Sequence, residues 1–183
     1  ELYWVLKASA LGNNIDSAIY SSVDIKSFIE TEAVREFAKC ALPEFNQQLK
    51  TAKTLLIIGD NAGETVFDTL LAEKLSDQTI FYAVRSGPIL NDTTAEEAYA
   101  SGLGALTKIV ETGSVLPGTM LKNCSEEFIA LFNSADIVIS KGQGNYETLA
   151  DTGRPVFYLL KAKCPVIASM FGVCLNDYVF AVR

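Results

Sequence analysis

The chain has 183 residues and a formal net charge of −7, with 15 Lys and Arg against 22 Asp and Glu. This length suits one globular domain, and the charge argues against nucleic acid or an anionic membrane as a partner, because both require a clustered excess of cations. The sequence contains no histidine, which excludes histidine-based triads and zinc sites that need His ligands and leaves oxygen-ligand metal chemistry as the natural option.

The cysteines and the termini bear on location. Cys40, Cys124, Cys164 and Cys174 are widely spaced and form no CxxC pair, so we expect buried, reduced thiols and a cytoplasmic location. No apolar run approaches the roughly 18 residues of a membrane span, and no signal-peptide pattern is present, so we expect a soluble protein. The chain begins at Glu1 inside a helical pattern, and we expect further sequence upstream of it.

Helical periodicity dominates the first part of the chain. The apolar spacing predicts helices over Leu2–Ala10 and Ile25–Phe37, and a further helix over residues 44–52. We therefore predict that residues 1–50 form a helical N-terminal segment that packs on a sheet.

From Thr54 onward, short continuous apolar runs alternate with helical segments. Such runs are typical of parallel strands that are buried on both faces. Strands are predicted at TLLIIGD, TIFYAVR, ALTKIVE, ADIVISKG, PVFYLLKA and YVFAVR, and helices at ETVFDTLLAEKLS, TTAEEAYASG, SEEFIALFNS and NYETLADTG, with Ser125 as an N-cap. Residues 51–183 are predicted to form a Rossmann-like α/β core, which gives a three-layer α/β/α sandwich with a mainly parallel sheet and a helical N-terminal extension.

The residues that follow the predicted strands are polar, and ligands bind at the carboxyl ends of strands in open parallel sheets. Asp60 and Asn61 follow TLLII, and Asp92 lies in the loop after TIFYAV. Each side chain could simply cap the next helix. Two strand ends that both carry hard oxygen ligands instead favour a divalent cation such as Mg²⁺, and we predict that Asp60, Asn61 and Asp92 are metal ligands.

A glycine-rich loop, Lys141-Gly142-Gln143-Gly144-Asn145, follows ADIVIS. Two glycines let backbone N–H groups approach an anion, the next helix offers its positive N-terminus, and Lys141 adds a charge. The loop is neither a Walker loop nor a full GxGxxG fingerprint, and an ordinary strand-to-helix turn is the alternative interpretation. We predict that it binds phosphate.

Taken together, GDNAGE, PILNDTT and KGQGNYETL resemble the motifs of the damage-control phosphatases in their order and strand context. That family was once known only as a domain of unknown function and is also linked to protein-carboxylate methyltransferase activity. The resemblance runs from about Gly12 nearly to the C-terminus and includes GNNID at residues 12–16 and PVFYLLKAKCPVIA with Gly172. Family members also carry a helical N-terminal region, often with a CxxC pair, and this chain has no such pair.

The resemblance implies a metal-dependent phosphatase whose divalent ion is Mg²⁺, Mn²⁺, Co²⁺ or Ni²⁺. It implies metal ligation by Asp60, Asn61 and Asp92, and contact of Lys141 and the loop from Gly142 to Asn145 with substrate phosphate. Further members of the implied site are Glu64, Arg85 and Asn13, and the candidate catalytic residues are Asp60, Lys141 and Glu64.

Physical reasoning leads to the same chemistry. An ion at the predicted ligands would neutralise phosphate charge and either activate a water or position Asp60 for attack. The resemblance implies sugar phosphates as substrates, and the predicted function is therefore hydrolysis of small phosphorylated metabolites such as these. Haloacid-dehalogenase phosphatases need a second Asp where this chain has Ala62, which argues against that class.

Two alternatives remain at this point, and the oligomeric state is open. One is a carboxylate methyltransferase that uses S-adenosylmethionine on the same architecture, and the other is a non-catalytic sugar-phosphate-binding protein. Arg85 at the end of the second predicted strand suits phosphate better than the hydroxyls of a ribose. The phosphatase interpretation is therefore preferred.

Overall fold

The computed structural model describes residues 1–13 and 22–183. In this part of the chain the strands are β1 (Phe37–Cys40), β2 (Thr54–Ile58), β3 (Thr79–Val84), β4 (Lys108–Glu111), β5 (Ile137–Lys141), β6 (Phe157–Lys161) and β7 (Tyr178–Val182). The α-helices are α1 (Leu2–Gly12), α2 (Ser22–Ala33), α3 (Leu42–Leu49), α4 (Thr65–Lys74), α5 (Ala95–Ala100), α6 (Glu126–Ser134), α7 (Gln143–Leu149) and α8 (Pro165–Phe171).

The strands form one sheet in the order β1-β7-β6-β5-β2-β3-β4. Neighbouring strands are parallel except β6 and β7, which are antiparallel. The chain proceeds from β2 outward to β3 and β4 on one side, whereas β5 and β6 lie on the other side of β2. The strand order therefore reverses between β2 and β5, and a ligand crevice is expected at the carboxyl ends of these two strands.

Helices cover both faces of the sheet. One apolar cluster joins α1, α3, α4 and α5 to one face, through buried residues such as Leu6, Phe45 and Leu71. A second cluster joins α6, α7 and α8 to the other face, through residues such as Phe132, Tyr146 and Ile167. The predicted three-layer α/β architecture with a mainly parallel sheet is confirmed.

The segment before β2 differs from its prediction in one respect. The helix predicted over Ile25–Phe37 ends at Ala33, and Phe37 instead begins β1. This strand has four residues, lies at the edge of the sheet, pairs with β7 and buries only Phe37. Its exposed residues carry no period-2 apolar signal, so that the sequence pattern could not reveal it.

The predicted helices after β2 are present, and Ser125 is confirmed as an N-cap, since its side chain accepts a hydrogen bond from the N–H of Phe128. Helix α8 was not predicted. Its end signals are nevertheless local, because Pro165 occupies its first turn and Gly172 ends it in the left-handed conformation.

Two expectations from composition can be compared with the structure. The four cysteines are free thiols, but none is buried as expected, and Cys40 and Cys174 are exposed. Within residues 1–13 and 22–183, no helix has the length and apolar character that a membrane crossing demands.

The division of the chain at residue 50 stays a prediction, and the first segment contributes β1 to the sheet as well as helices. Asn14, Ile15 and Asp16 of the GNNID motif lie outside the described residues.

Candidate functional site

The polar residues that follow β2 and β5 meet at the crevice between these strands. Asp60 comes two residues after β2, and Gly142 comes directly after β5. The two are in contact, because a Cβ atom on Gly142 would overlap Oδ2 of Asp60. The carboxylate of Asp60 therefore lies at the point where the strand order reverses.

Asn61 and Asp92 face each other across a short antiparallel bridge between the loops after β2 and β3. Backbone hydrogen bonds flank the pair on both sides, including one of 2.9 Å from the N–H of Thr93 to the carbonyl of Asp60. In a pair of this type the two side chains project to the same side and lie close together. The bridge brings two of the predicted ligands together although 30 residues separate them in the sequence.

The side-chain amide of Asn61 has one oriented end and one unpaired end. Its Nδ2 donates a hydrogen bond of 2.8 Å to the carbonyl oxygen of Asn13. Its Oδ1 is buried and has no hydrogen-bond partner among the described residues. Leaving a buried acceptor unpaired costs about 1–3 kcal/mol, and a cation at this position would satisfy it.

Helix capping does not explain these polar residues. Asn61 precedes the short 3-10 helix Ala62–Glu64, but its side chain makes no capping hydrogen bond. Helix α5 is capped by Thr94, which lies two residues beyond Asp92, together with Glu97. The capping interpretation weighed from the sequence therefore does not apply to Asn61 or Asp92.

The two carboxylates are each held by one hydrogen bond from a neighbouring side chain. Oδ2 of Asp92 accepts from Nε of Arg85 at 2.7 Å, and Oδ2 of Asp60 accepts from Nδ2 of Asn13 at 2.7 Å. Among the described residues these bonds use one oxygen of each carboxylate. Such outer contacts are typical of residues that bind metal ions.

The donor set of Asp60, Asn61 and Asp92 fits a hard divalent cation. Two carboxylates and an unpaired amide oxygen match the preferences of Mg²⁺ and Mn²⁺. In residues 1–13 and 22–183, no group of three or more Cys, Asp or Glu side chains is placed to share a metal ion. A site at this corner therefore depends on the amide oxygen of Asn61.

The protonation of Asp60 reflects its surroundings. Burial raises the pKa of Asp60, the hydrogen bond from Asn13 opposes this shift, and the neighbouring Asp92 raises the pKa further. Two acidic groups close together in a buried crevice repel each other when ionised. A cation held between them would favour the ionised form of both.

Glu64 lies beneath Asp60 and is fully buried. Its Oε1 accepts from the backbone N–H of Asp60 at 2.5 Å, and its Oε2 accepts from Nδ2 of Asn13 at 2.8 Å. Burial raises the pKa of Glu64 to about 8; nearby Lys141 opposes the shift, while Asp68 and Asp60 add to it. Glu64 thus contacts Asp60 from below instead of facing the crevice.

Lys141 occupies a different position from the predicted one. Its ammonium is fully buried, 2.6 Å from Oδ1 of Asp68 and 3.2 Å from Oε2 of Glu64. Successive side chains of a strand point to opposite faces, and Lys141 shares the face of Ile137 and Ile139, which is the face that α1 and α4 cover. The expected contact of Lys141 with substrate phosphate is replaced here by a buried ion pair.

Arg85 was also predicted to contact phosphate, and its side chain is 1% exposed. Besides its bond to Asp92, Nη1 donates to Oγ1 of Thr119 at 2.8 Å and Nη2 donates to Oδ1 of Asn145 at 2.9 Å. The guanidinium is committed to three protein acceptors. In this structure Arg85 orients Asp92.

Asn145, which was predicted in the phosphate loop, is fully buried. Its Nδ2 donates to the carbonyl oxygens of Gly59 at 3.0 Å and of Lys141 at 2.8 Å. These carbonyls belong to the ends of β2 and β5. Asn145 therefore links the two strand ends through hydrogen bonds, and its Oδ1 accepts a hydrogen bond from Arg85.

The start of the glycine-rich loop is the part nearest the crevice. Gly142 has a φ of +75° and donates its N–H to the carbonyl of Leu159 at 3.1 Å. Gln143 begins α7, and a Cβ atom on Gly144 would meet nothing within 4 Å. The first-turn N–H groups of a helix lack partners within the helix, and those of Gln143 and Gly144 directly follow Gly142.

A cation that the sequence analysis did not single out lies beside the site. Lys163 is exposed, and its Nζ donates to the carbonyl oxygen and to Oδ1 of Asn13, at 3.2 and 3.3 Å. Its charge lowers the pKa of Asp60. Lys163 follows β6 by two residues, and its position just beyond a strand end was the available signal.

Asn13 links most of these groups. It is buried at the end of α1, where it donates to Asp60 and Glu64 and accepts from Asn61 and Lys163. The structure therefore brings Asn13, Asp60, Asn61, Glu64 and Asp92 into one site.

Comparison with known proteins identifies similar chains. The damage-control phosphatase ARMT1-like domain matches residues 1–179. The chain is 39% identical over 168 residues to the damage-control phosphatase PH1575 of Pyrococcus horikoshii, an alignment that covers 89% of this chain and 58% of that protein. It is 30% identical over 182 residues to a damage-control phosphatase of Archaeoglobus fulgidus, with 95% of this chain and 62% of that protein covered.

The solved structure of PH1575, a DUF89 family protein, is similar to this fold with a TM-score of 0.91 and 36% identity. That superposition covers 98% of this chain and 65% of the PH1575 chain. An uncharacterized protein of Methanocaldococcus jannaschii, MJ0202, is 39% identical over 185 residues, which cover 96% of this chain and 61% of that protein. The chain thus spans about three fifths of the length of the curated relatives that it matches.

Proposed function

This chain belongs to the damage-control phosphatase ARMT1-like domain family, and from that membership and the site geometry we propose that it is a metal-dependent phosphatase of small phosphorylated metabolites such as sugar phosphates. The observation that carries the proposal is the Oδ1 of Asn61, which is buried and has no hydrogen-bond partner within the described residues. It lies at the carboxyl edge of the sheet, between residues that contribute two carboxylates. A hard divalent cation satisfies all three groups.

Asp60, Asn61 and Asp92 would hold Mg²⁺, Mn²⁺, Co²⁺ or Ni²⁺. When bound, the ion would neutralise phosphate charge and orient the phosphoryl group. Arg85 keeps one oxygen of Asp92 occupied, and Asn13 does the same for Asp60. These bonds fix the direction in which the remaining carboxylate oxygens point.

Substrate phosphate would bind on the open side of this corner. Because the net charge of −7 repels anions, attraction must come from local groups. The ammonium of Lys163, which also donates to Asn13, and the backbone N–H groups of Gln143 and Gly144 are suited to that role. Lys163 takes the place that the sequence had suggested for Lys141, since Lys141 is paired below the site.

The test compares hydrolysis of p-nitrophenyl phosphate and of a panel of sugar phosphates, each with Mg²⁺, Mn²⁺, Co²⁺ or Ni²⁺ and after chelation. We expect Asp60→Asn and Asp92→Asn to abolish metal-dependent hydrolysis without loss of the folded state. Asp77→Asn is the matched control, because Asp77 is exposed and precedes the amino end of β3.

Other outcomes would contradict the proposal. Metal-dependent hydrolysis at the wild-type rate by both site variants would refute the metal assignment. Sugar-phosphate binding without turnover would indicate a binding protein, and transfer of a methyl group from S-adenosylmethionine to a carboxylate would indicate a methyltransferase.

A further inference from the structure

A buried ion cluster lies directly under the proposed metal corner, between β5 and the helices α1 and α4. Its members are Glu64, Asp68 and Lys141, and each has a fully buried side chain. Burying two carboxylates with one ammonium is costly unless every group is paired and hydrogen-bonded.

The hydrogen bonds of Asp68 are complete. Its Oδ1 accepts from Oγ of Ser9 at 2.5 Å and from Nζ of Lys141 at 2.6 Å, and its Oδ2 accepts from the hydroxyl of Tyr82 at 2.7 Å. Ser9 belongs to α1, Asp68 to α4 and Tyr82 to β3. Asp68 therefore anchors Lys141 to three separate elements.

Two routes lead from Lys141 to Asp60. In the first, the ammonium lies 3.2 Å from Oε2 of Glu64, whose Oε1 accepts the backbone N–H of Asp60. In the second, the ammonium donates to the carbonyl of Ser9 at 3.2 Å, and α1 continues from Ser9 to Gly12, which directly precedes Asn13. Both routes end on Asp60, because Nδ2 of Asn13 donates to the carboxylate of Asp60 and to Glu64.

We propose that Lys141 is a positioning residue, which fixes the orientation of Asp60 and thereby the affinity of the corner for a divalent ion, and that it does not contact substrate. This inference rests on the proposed metal site. Lys141 acts through Glu64 and through the docking of α1, so it sets where Asp60 and Asn13 lie. Residues that orient metal ligands from outside typically change metal affinity by about 10- to 100-fold when they are removed.

The sheet offers a matched comparison. Lys161 lies on the neighbouring strand β6, its Nζ is 2.6 Å from Oε2 of Glu32, and both side chains are 10% exposed. The two pairs are therefore similar ion pairs on the same face of the sheet. The pair of Lys161 has no bond to Asp60, Asn61 or Asp92 among the described contacts.

The experiment measures Mn²⁺ binding by electron paramagnetic resonance titration, together with thermal denaturation. The test variant is Lys141→Met/Asp68→Asn, which removes one positive and one negative charge and keeps the net charge of the buried cluster. The control is Lys161→Met/Glu32→Gln. Lys141→Met alone would leave the carboxyl groups of both Asp68 and Glu64 buried without a cation, which would threaten folding. Both double variants avoid this increase in buried net charge.

We expect Mn²⁺ to bind at least 10-fold more weakly to the folded Lys141 variant, and with unchanged affinity to the Lys161 variant. Where hydrolysis is detected, the Lys141 variant should have a lower kcat than the wild-type protein even at saturating Mn²⁺. Its KM for the phosphoester should change little. Unchanged Mn²⁺ affinity in a folded Lys141 variant would overturn the inference, as would an equal loss in both variants. A selective rise in KM would also overturn it, since that result indicates direct substrate contact.

Failure of this inference can be told apart from failure of the proposed function. If the wild-type protein binds Mn²⁺ but hydrolyses no phosphoester, and the Lys141 variant binds Mn²⁺ more weakly, the positioning role stands and the phosphatase proposal falls. If the wild-type protein hydrolyses phosphoesters and the variant binds Mn²⁺ normally, the positioning role falls alone.

Discussion

At the scale of single residues, Gly142 has the tightest constraint at the site. Its backbone has φ +75° and ψ 159°, a region that residues with a side chain avoid at a cost of about 1–3 kcal/mol. A Cβ atom there would also overlap the carboxylate of Asp60. Gly142 is therefore required both by the turn after β5 and by the close approach of Asp60.

We predict that Gly142→Ala lowers thermal stability and also weakens Mn²⁺ binding by at least about 10-fold, because the methyl group displaces Asp60, a proposed metal ligand. Gly153→Ala is the control: Gly153 has the same φ of +75°, but a Cβ atom there meets nothing within 4 Å. It should lose about 1–2 kcal/mol of stability from backbone strain and bind Mn²⁺ normally. Equal Mn²⁺ affinity of the two variants would contradict the role given to Gly142.

Lys141 and Lys163 differ in their burial and in their contacts. Lys141 and Lys163 both come near Asp60, yet one is sealed under two carboxylates and the other is exposed. The difference follows from their places in the strands. Lys141 is the last residue of β5 and points into a helix-covered face, whereas Lys163 lies beyond the end of β6.

At the scale of elements, helix α1 closes the lower side of the site. It packs chiefly against α4, and its last residue is Gly12. A Cβ atom on Gly12 would lie 2.8 Å from Cα of Glu64 and 2.7 Å from Cδ2 of Phe67. The small residue lets the end of α1 approach the 3-10 helix Ala62–Glu64 closely enough for Asn13 to reach Asp60.

We expect Gly12→Ala to destabilise the protein by about 1–3 kcal/mol through overpacking and to weaken Mn²⁺ binding, because α1 must shift and Asn13 moves with it. Ser125→Ala provides the comparison. It removes the N-cap of α6 at a cost of about 1 kcal/mol and should leave Mn²⁺ binding unchanged. Differential scanning calorimetry and Mn²⁺ titration of both variants test this, and a stable Gly12→Ala protein with full affinity would refute it.

At the scale of the whole molecule, stability should depend on pH through Lys7. This residue of α1 is buried, its Nζ has no hydrogen-bond partner in the part of the chain that the structure describes, and the ammonium lies 3.0 Å from the centroid of the Tyr178 ring. Burial lowers the pKa of Lys7 to about 7, while Glu32 opposes the shift and the cations Arg35 and Lys161 add to it.

The sign follows from proton counting. The unfolded chain holds the Lys7 proton up to a pKa of about 10.4, whereas the folded protein loses it near pH 7. The unfolded state binds more protons between these values, so this group makes the folded state more stable as pH rises from 7 to 10. Below pH 7 Lys7 is protonated in both the folded and the unfolded state, and the folded state bears the full cost of burying its charge.

We therefore predict that Lys7→Met raises the melting temperature most at pH 6 and least near pH 10. Each kcal/mol gained in the free energy of unfolding should raise the melting temperature by about 2–4 °C for a domain of this size. The difference between the melting temperatures of Lys7→Met and the wild-type protein at each pH isolates the contribution of Lys7 from that of other titrating groups. A difference that is constant from pH 6 to pH 10 would show that the pKa of Lys7 is not lowered.

The sequence by itself determined the core of this architecture. Runs such as TLLII and DIVIS are apolar without interruption because both faces of the sheet are covered, and this pattern is local. The same runs located Asp60, Asn61 and Asp92, because residues that follow parallel strands collect at one edge of the sheet. The pairing of β1 with β7 at the far edge was not accessible, since β1 has only four residues and shows no alternation of apolar and polar side chains.

Only the tertiary structure decided which of the polar side chains face the crevice. Arg85, Lys141 and Asn145 read as phosphate contacts in the sequence, but each lies buried and bonded to other residues. Asn13 and Lys163 are 150 residues apart and meet beside Asp60. The physical reason is that burial depends on which distant helix covers a strand end, and a local pattern holds no information about that contact.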